Sequence, residues 1–274
     1  MKSILVPTDF SENARNAFDY AVKLFGLDGV RYTLINSFET PNAGTSGMLV
    51  SIDEMLEKES IADLEKELEY LNNKYKGITV DIESRHGSVD DVVAHWSNQN
   101  DVDAVVMGTT GASGLKKTFL GSNAQKVIAD SEYPVFSVPE GFLFSPIKKI
   151  VFAADLQDIS DNAVFDTVKS LAKNYNAHLY ITHVVKSGDL GETLEEEKNR
   201  LKINQTLDGV DFGFHSLHDD NIVEAIDEFI EEVNADLLVV VPRKVTFWNK
   251  LFKKSISKEI SYHTKVPLLA VKDH

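Results

Sequence analysis

The sequence predicts two tandem α/β units, each built on a five-stranded parallel sheet with helices on both faces, and three observations carry that expectation. The first is length: 274 residues suit two domains at ~100 to 200 residues each. The second is an internal repeat. Ile4-Leu5-Val6-Pro7-Thr8-Asp9 returns as Ile150-Val151-Phe152-Ala153-Ala154-Asp155, each an apolar run closed by aspartate. Ala104-Val105-Val106-Met107 followed by Tyr133-Pro134-Val135-Phe136-Ser137-Val138 returns as Leu237-Leu238-Val239-Val240 followed by Val266-Pro267-Leu268-Leu269-Ala270-Val271. The third is alternation of short apolar runs with helical spacing. Strands apolar on both sides and separated by helices belong to parallel sheets with right-handed crossovers. The boundary falls between Gly141 and Pro146, dividing the chain into 1–143 and 144–274.

In the first unit, Ile4 to Val6 forms the opening strand. Ser11 can cap a helix whose apolar face is Ala14, Ala17, Phe18, Ala21, Val22 and Phe25, at spacings of three and four. A strand over about 31–38 follows. The Pro-, Asn-, Gly-, Thr- and Ser-bearing stretch from Glu39 to Leu49 reads as a loop, and it absorbs most of the surplus that makes the first half the longer one. Ile61, Leu64, Leu68 and Leu71 then stripe a charged helix. Ile78 to Glu83 alternates as a strand should, and Val89, Val92, Val93 and Trp96 return to helical spacing before a strand at 103–107. The second unit repeats the order, with strands near 148, 178, 211, 236 and 267 and helices near 161, 191, 221 and 255.

Composition narrows the functional classes. With 28 Lys+Arg against 43 Asp+Glu, the formal charge is −15, and such a field repels nucleic acid and anionic membranes at a distance. Absence of cysteine removes disulfides, thiolate zinc sites, iron–sulfur clusters and cysteine nucleophiles together. The only apolar run near the start, Ile4 to Val6, is too short for a secretory signal, and no run approaches the ~18 residues of a membrane span. A cytoplasmic protein is the expectation.

The chemistry concentrates after the fourth strand. Met107 runs into Gly108-Thr109-Thr110-Gly111-Ala112-Ser113-Gly114-Leu115-Lys116-Lys117-Thr118-Phe119-Leu120-Gly121-Ser122-Asn123, and a helix starts near Ser122 from the spacing of Ala124, Val127 and Ile128. Strand-to-helix loops in α/β units usually have ~2 to 6 residues, so a longer glycine-bearing one at a carboxyl edge marks a functional place. Glycines with positive φ bring N–H groups to an anion, and Ser122 with the helix N-terminus supplies donors and a favourable dipole. A solvated loop with a serine cap is the competing reading of the same spacing. The loop is neither G-x-x-x-x-G-K-[ST], since Leu115 precedes the lysine pair, nor G-x-G-x-x-G.

Gly108-x2-Gly111-x9-Gly121-Ser122 resembles the nucleotide loop of the universal stress protein family, and Ile4-Leu5-Val6-Pro7-Thr8-Asp9-Phe10-Ser11 is similar to that family's first strand and turn. The resemblance covers the whole chain as two copies. It implies sheets ordered 3-2-1-4-5. It also implies ATP or another adenine nucleotide, with Mg²⁺ as a companion ion, held by Pro7, Thr8 and Asp9 at the nucleoside and by Met107, Gly108, Gly111, Gly121, Ser122, Asn123 and Ala124 at ribose and phosphates. Ser37 stands where the family usually has an aliphatic residue near adenine, a departure from the pattern. Single-repeat members pair through the last strand, so Val135 to Val138 and Leu268 to Val271 are expected to join the halves as an internal pseudo-dimer, with further homodimerisation left open.

In the second repeat Val241, Lys244 and Lys254 stand at the three glycine positions, and only Ser255 and Asp155 match Ser122 and Asp9. Arg243, Lys244, Lys250, Lys253 and Lys254 form a basic cluster there, beside Phe247, Trp248, Leu251 and Phe252; it suits another anion, a partner or plain solvent. Lys116 and Lys117 stand as phosphate contacts or as ordinary exposed lysines. His215 and His218 are read as a surface pair rather than a metal site, His183 as a packed or capping residue, and Glu195-Glu196-Glu197 with Asp219-Asp220 as solvated acidic faces. No nucleophile–base pair or acid–base dyad stands out. The expectation is therefore a nucleotide-binding stress regulator or sensor acting through its first repeat, against two alternatives: an empty protein-interaction scaffold, and a slow ATPase without an evident base.

Overall fold

The computed structural model describes residues 1–40, 46–109, 120–154, 162–185, 193–242 and 265–272. The chain divides into two compact units, Met1–Phe144 and Ser145–His274. The first contains β1 (Lys2–Pro7), α1 (Glu12–Phe25), β2 (Val30–Phe38), α2 (Ser46–Lys74), β3 (Val80–His86), α3 (Val89–Gln99), β4 (Ala104–Gly108), α4 (Ser122–Asp130) and β5 (Val135–Val138). Its strands run parallel in the order β3-β2-β1-β4-β5. The second contains β6 (Lys149–Ala153), α5 (Asn162–Tyr175), β7 (His178–Val185), α6 (Leu194–Thr206), β8 (Phe212–His218), α7 (Ile222–Val233), β9 (Leu237–Val240) and β10 (Leu268–Ala270). It is likewise parallel, ordered β8-β7-β6-β9-β10.

The sheet order follows from burial. Ile4, Leu5 and Val6 are wholly enclosed, as are Ile150 and Val151 in the second unit, so the first strand of each unit must lie centrally with cover on both faces. Each such side chain contributes roughly 1.5–3 kcal/mol on burial. In the first unit α1 and α2 are tied together: Arg15 donates two hydrogen bonds to the buried Glu67 carboxylate from Nε at 3.0 Å and one from Nη2 at 2.7 Å, and Asp19 accepts from Lys74 at 2.5 Å and from Tyr75 at 2.6 Å. Burial, reinforced by Asp19, pushes the Tyr75 hydroxyl's pKa well up. The α3 and α4 helices pack against each other; right-handed crossovers put them on the face opposite α1 and α2.

Local signals set the ends of α1. Ser11 Oγ accepts from the Ala14 N–H at 3.1 Å, and Gly26, at φ 84°, closes the helix by donating to the Val22 carbonyl at 2.8 Å.

Several elements differ from the sequence expectation. Within the stretch expected to be a loop, Ser46 to Leu49 are already helical, the start of α2. The enclosed stripe of that helix is Ser60, Leu64, Glu67 and Leu71, while Ile61 is exposed, because Ser60 and Glu67 find hydrogen-bond partners inside. β3 begins at Val80 and runs on to His86. Glu196 is buried rather than solvated: it completes a capping box, accepting from the Thr193 N–H at 2.6 Å, and its other carboxylate oxygen lies 3.4 Å from His183 Nε2. His215 sits on β8 in an aromatic cluster with Tyr180 and Phe229, whereas His218 is exposed.

Candidate functional site

In an open parallel sheet, ligands collect at the carboxyl ends of the strands, at the point where strand order reverses. In the first unit that point lies between β1 and β4, which pair with Ile4 opposite Ala104 and Leu5 opposite Val105. Their carboxyl ends, Pro7 and Met107-Gly108, therefore open onto one edge, and α4 starts from the same edge.

The turn leaving β1 is shaped by its own side chains. The Thr8 N–H donates to the Ile35 carbonyl at 2.8 Å, prolonging the β1–β2 ladder by one bond. Thr8 Oγ1 then accepts from the Phe10 N–H at 3.0 Å, and Asp9 Oδ1 from the Ser11 N–H at 3.1 Å. These two bonds hold Phe10 at φ 65°, a conformation that costs a non-glycine residue roughly 1–2 kcal/mol. Thr8 is buried and Asp9 exposed. Behind them runs a buried polar chain that the sequence reading missed: Asn36 Nδ2 donates to the Thr8 carbonyl at 2.7 Å, Ser60 Oγ to Asn36 Oδ1 at 2.7 Å, and Ser84 Oγ to Ser60 Oγ at 2.7 Å. It joins β1, β2, α2 and β3 and fixes the direction of the Thr8 carbonyl.

Ser37 is half-buried near the end of β2, paired with Arg85. The Arg85 guanidinium lies 5.1 Å from the ring centre of Trp96, and the two residues line a cleft of about 400 Å³ between β3 and α3.

On the β4 side, Met107 is buried and Gly108 meets α1. A β-carbon on Gly108 would lie 2.5 Å from Asn13 Nδ2 and 2.9 Å from its Cγ. The loop beyond is stapled at its root: the Thr109 N–H donates to the Val138 carbonyl at 3.0 Å, and the Gly121 N–H donates to the Thr109 carbonyl at 2.6 Å. Thr109 Oγ1 is enclosed with no hydrogen-bond partner among the described residues. Gly111, Lys116 and Lys117 lie outside the described residues.

At the head of α4 the cap is Gly121, with φ −62° and ψ 159° and no side-chain cap bond. The helix begins at Ser122 as its spacing suggested, and Ser122 is its first residue and not the cap of the competing solvated-loop reading. One expectation is corrected here: neither Gly108 nor Gly121 has positive φ. Ser122 and Asn123 are exposed and Ala124 is buried. No side chain among the described residues caps the first-turn N–H groups, an arrangement suited to an anion.

The second unit builds the corresponding edge differently. Ala153 pairs with Thr182, and the Ala154 N–H donates to the Thr182 carbonyl at 2.9 Å, the same pattern that Pro7 and Thr8 make with Ile35. His183 therefore takes the position of Asn36, and it turns to Glu196 instead of to a serine of the following helix. Val241 follows β9 where Gly108 ends β4. Asp155, Ser255, the basic cluster from Arg243 to Lys254, its aromatic neighbours Phe247 and Trp248, and the helix expected near 255 lie outside the described residues. Among the described residues no group of three or more His, Asp or Glu side chains is placed to hold a metal ion, and no helix is long and apolar enough to cross a membrane.

Comparison with known proteins agrees with this architecture. The model of the universal stress protein family matches residues 1–139 and again residues 146–272. Universal stress protein MJ0531 of Methanocaldococcus jannaschii is 29% identical over 140 residues, covering 50% of this chain and 81% of that protein. Universal stress protein MJ0577 of the same organism is 27% identical over 157 residues, covering 50% of this chain and 94% of that protein. Among solved structures, a universal stress protein from Archaeoglobus fulgidus DSM 4304 shares the fold, with a TM-score of 0.69 and 21% identity over 98% of this chain and 96% of that one. With both halves matched by one family model and both sheets in the order that its loop and first strand implied, the chain belongs to the universal stress protein family and carries two copies of its fold.

Proposed function

We propose that the first unit binds an adenine nucleotide, ATP in the leading form, at the carboxyl edge between β1 and β4, and that the protein acts as a stress-linked regulator or sensor. The observation that carries this is the uncapped N-terminus of α4, opening beside Thr8, Asp9 and Gly108 at the point of strand reversal. The Thr109 hydroxyl at the root of the loop, enclosed and without a hydrogen-bond partner among the described residues, adds a polar group to this edge. In this reading Pro7, Thr8, Asp9 and Ser37 face the nucleoside. Met107, Gly108, Gly111, Ser122, Asn123 and Ala124 surround the ribose and phosphates, the last three through first-turn amides. Gly121 shapes the cap; its own N–H is held by Thr109. Mg²⁺ enters only as the nucleotide's companion ion.

The test is whether purified protein retains nucleotide, read from absorbance and mass spectrometry, and whether the emptied protein takes up ATP in calorimetry. Retention or saturable uptake supports the reading. Failure of both would leave the interaction-scaffold reading in its place, and measured ATP turnover would move the protein to the slow-ATPase reading.

A further inference from the structure

We propose that β7 and β8 of the second unit carry a two-histidine site for a divalent transition-metal ion of the zinc or copper type. The register sets it up. Tyr180 pairs with Gly213, His178 lies two residues before Tyr180, and His215 lies two residues after Gly213, so the strand period of two puts all four on one face. A β-carbon on Gly213 would stand 3.3 Å from Nε2 of His215 and 3.9 Å from Nε2 of His178. The Nε2 atoms of both imidazoles thus lie within 4 Å of one point on the sheet, over a residue that has no side chain. Any other residue at 213 would fill that space.

Both rings are held before any ion arrives. His178 Nδ1 lies 2.8 Å from Asp211 Oδ2. A carboxylate at that distance accepts from Nδ1–H, and in the neutral ring the lone pair is then on Nε2, the arrangement that orients metal-binding histidines. The His215 ring is flanked by Tyr180 and Phe229, each centred 5.2 Å away, and Tyr180 also packs against His178 at 4.4 Å. Neither Nε2 has a hydrogen-bond partner among the described residues. Two half-buried imidazoles whose Nε2 atoms have no donor against them among the described residues are suited to a borderline Lewis acid, whereas Mg²⁺ and Ca²⁺ require oxygen ligands. With only two protein nitrogens the site is open, and water completes the coordination at metal–nitrogen distances of about 2.0–2.1 Å. The formal charge of −15 favours the approach of a cation.

The experiment uses the full chain freed of metal, with Zn²⁺ as probe in calorimetry and imidazole nitrogen NMR as the site-resolved readout. The expected result is one Zn²⁺ per chain, with the Nε2 resonances of His178 and His215 moving together. Gly213→Ala should abolish binding while leaving both imidazoles in place. Asp211→Asn should weaken it by about tenfold. His218→Gln, on the same strand, should leave it intact. Undiminished Zn²⁺ binding by Gly213→Ala, survival of the bound ion in His215→Gln, or unmoved His178 and His215 resonances at saturating Zn²⁺ would each overturn the assignment. Because the NMR readout uses the unsubstituted protein, it decides the question even if a variant fails to fold.

Discussion

A β-carbon added to Gly108 would push into the side chain of Asn13, which is itself buried in the first turn of α1, so this glycine is required by close packing. Gly121 is glycine for a different reason: its backbone angles suit any residue, but a side chain there would stand over the first-turn amides of α4. The two positions therefore separate folding from binding. Gly108→Ala is expected to destabilise the first unit by about 1–3 kcal/mol through overpacking, measured by urea denaturation. Gly121→Asp should leave stability unchanged or raise it by up to about 1 kcal/mol, because a carboxylate caps the helix and complements its dipole. The same carboxylate would occupy the place proposed for the phosphates, so calorimetry should show ATP binding weakened at least about tenfold, or 1.4 kcal/mol. A Gly121→Asp protein that binds ATP like the parent would remove α4 from the site. Ser122→Ala should have a smaller effect, since the backbone donors remain.

The α1 helix was legible because its cap and its apolar spacing point the same way, and each is a local signal; Gly26, which closes it, is a third local signal that was passed over. The α2 helix was only half legible. Its inner stripe contains Ser60 and Glu67, and apolar periodicity cannot register a polar residue whose burial depends on partners far off in sequence, Asn36 and Arg15. Ser60→Ala, which leaves Asn36 Oδ1 without its donor, is expected to lower stability by about 1–3 kcal/mol in urea denaturation; an unchanged midpoint would mean that the chain from Thr8 to Ser84 is incidental. In α6 the signal was present and passed over: Thr193-x-x-Glu196 is a capping-box spacing, and its glutamate is the one that turns inward. The α7 helix adds a pH dependence. Burial, aided by Glu231 and opposed by Lys265, pushes Asp227 up to about 7. The folded state then holds this proton to higher pH than the unfolded chain does, so the site favours folding most below the ordinary value of 3.8 and that advantage is lost as pH rises to about 7. Asp227→Asn should accordingly stabilise the protein at pH 8, on the order of 1 kcal/mol after solvent screening, with the gain gone at pH 4. A gain of equal size at both pH values would show that the carboxylate's charge is not the cause.

At the scale of the whole molecule, the repeat was readable from its apolar strands, since burial on both faces leaves the same Ile-, Leu- and Val-rich runs in each half. The proposed divergence of function rests, in the sequence, on the loop alone, and the structure shows further differences located elsewhere. Where Pro7 and Thr8 leave β1, the second unit has Ala153 and Ala154, so the hydroxyl that shapes the first turn is missing. Where Asn36 anchors the Thr8 carbonyl, His183 is committed to Glu196. Val241 follows β9 in place of Gly108, and by sequence Lys254 replaces Gly121. Since Gly121 does not use positive φ, a lysine in its place would disfavour a bound anion by crowding the first-turn amides rather than by backbone strain, and a flexible ammonium does not substitute for a row of fixed amides. One nucleotide per chain is the expected stoichiometry in calorimetric titration with ATP and Mg²⁺. Gly121→Asp should reduce it toward zero without a second, weaker isotherm emerging from the other unit. A value near two, or binding that persists at full strength in that variant, would show that the second edge accepts nucleotide despite its altered strand ends, and that the anchoring by Asn36 and Thr8 is not what distinguishes the two halves.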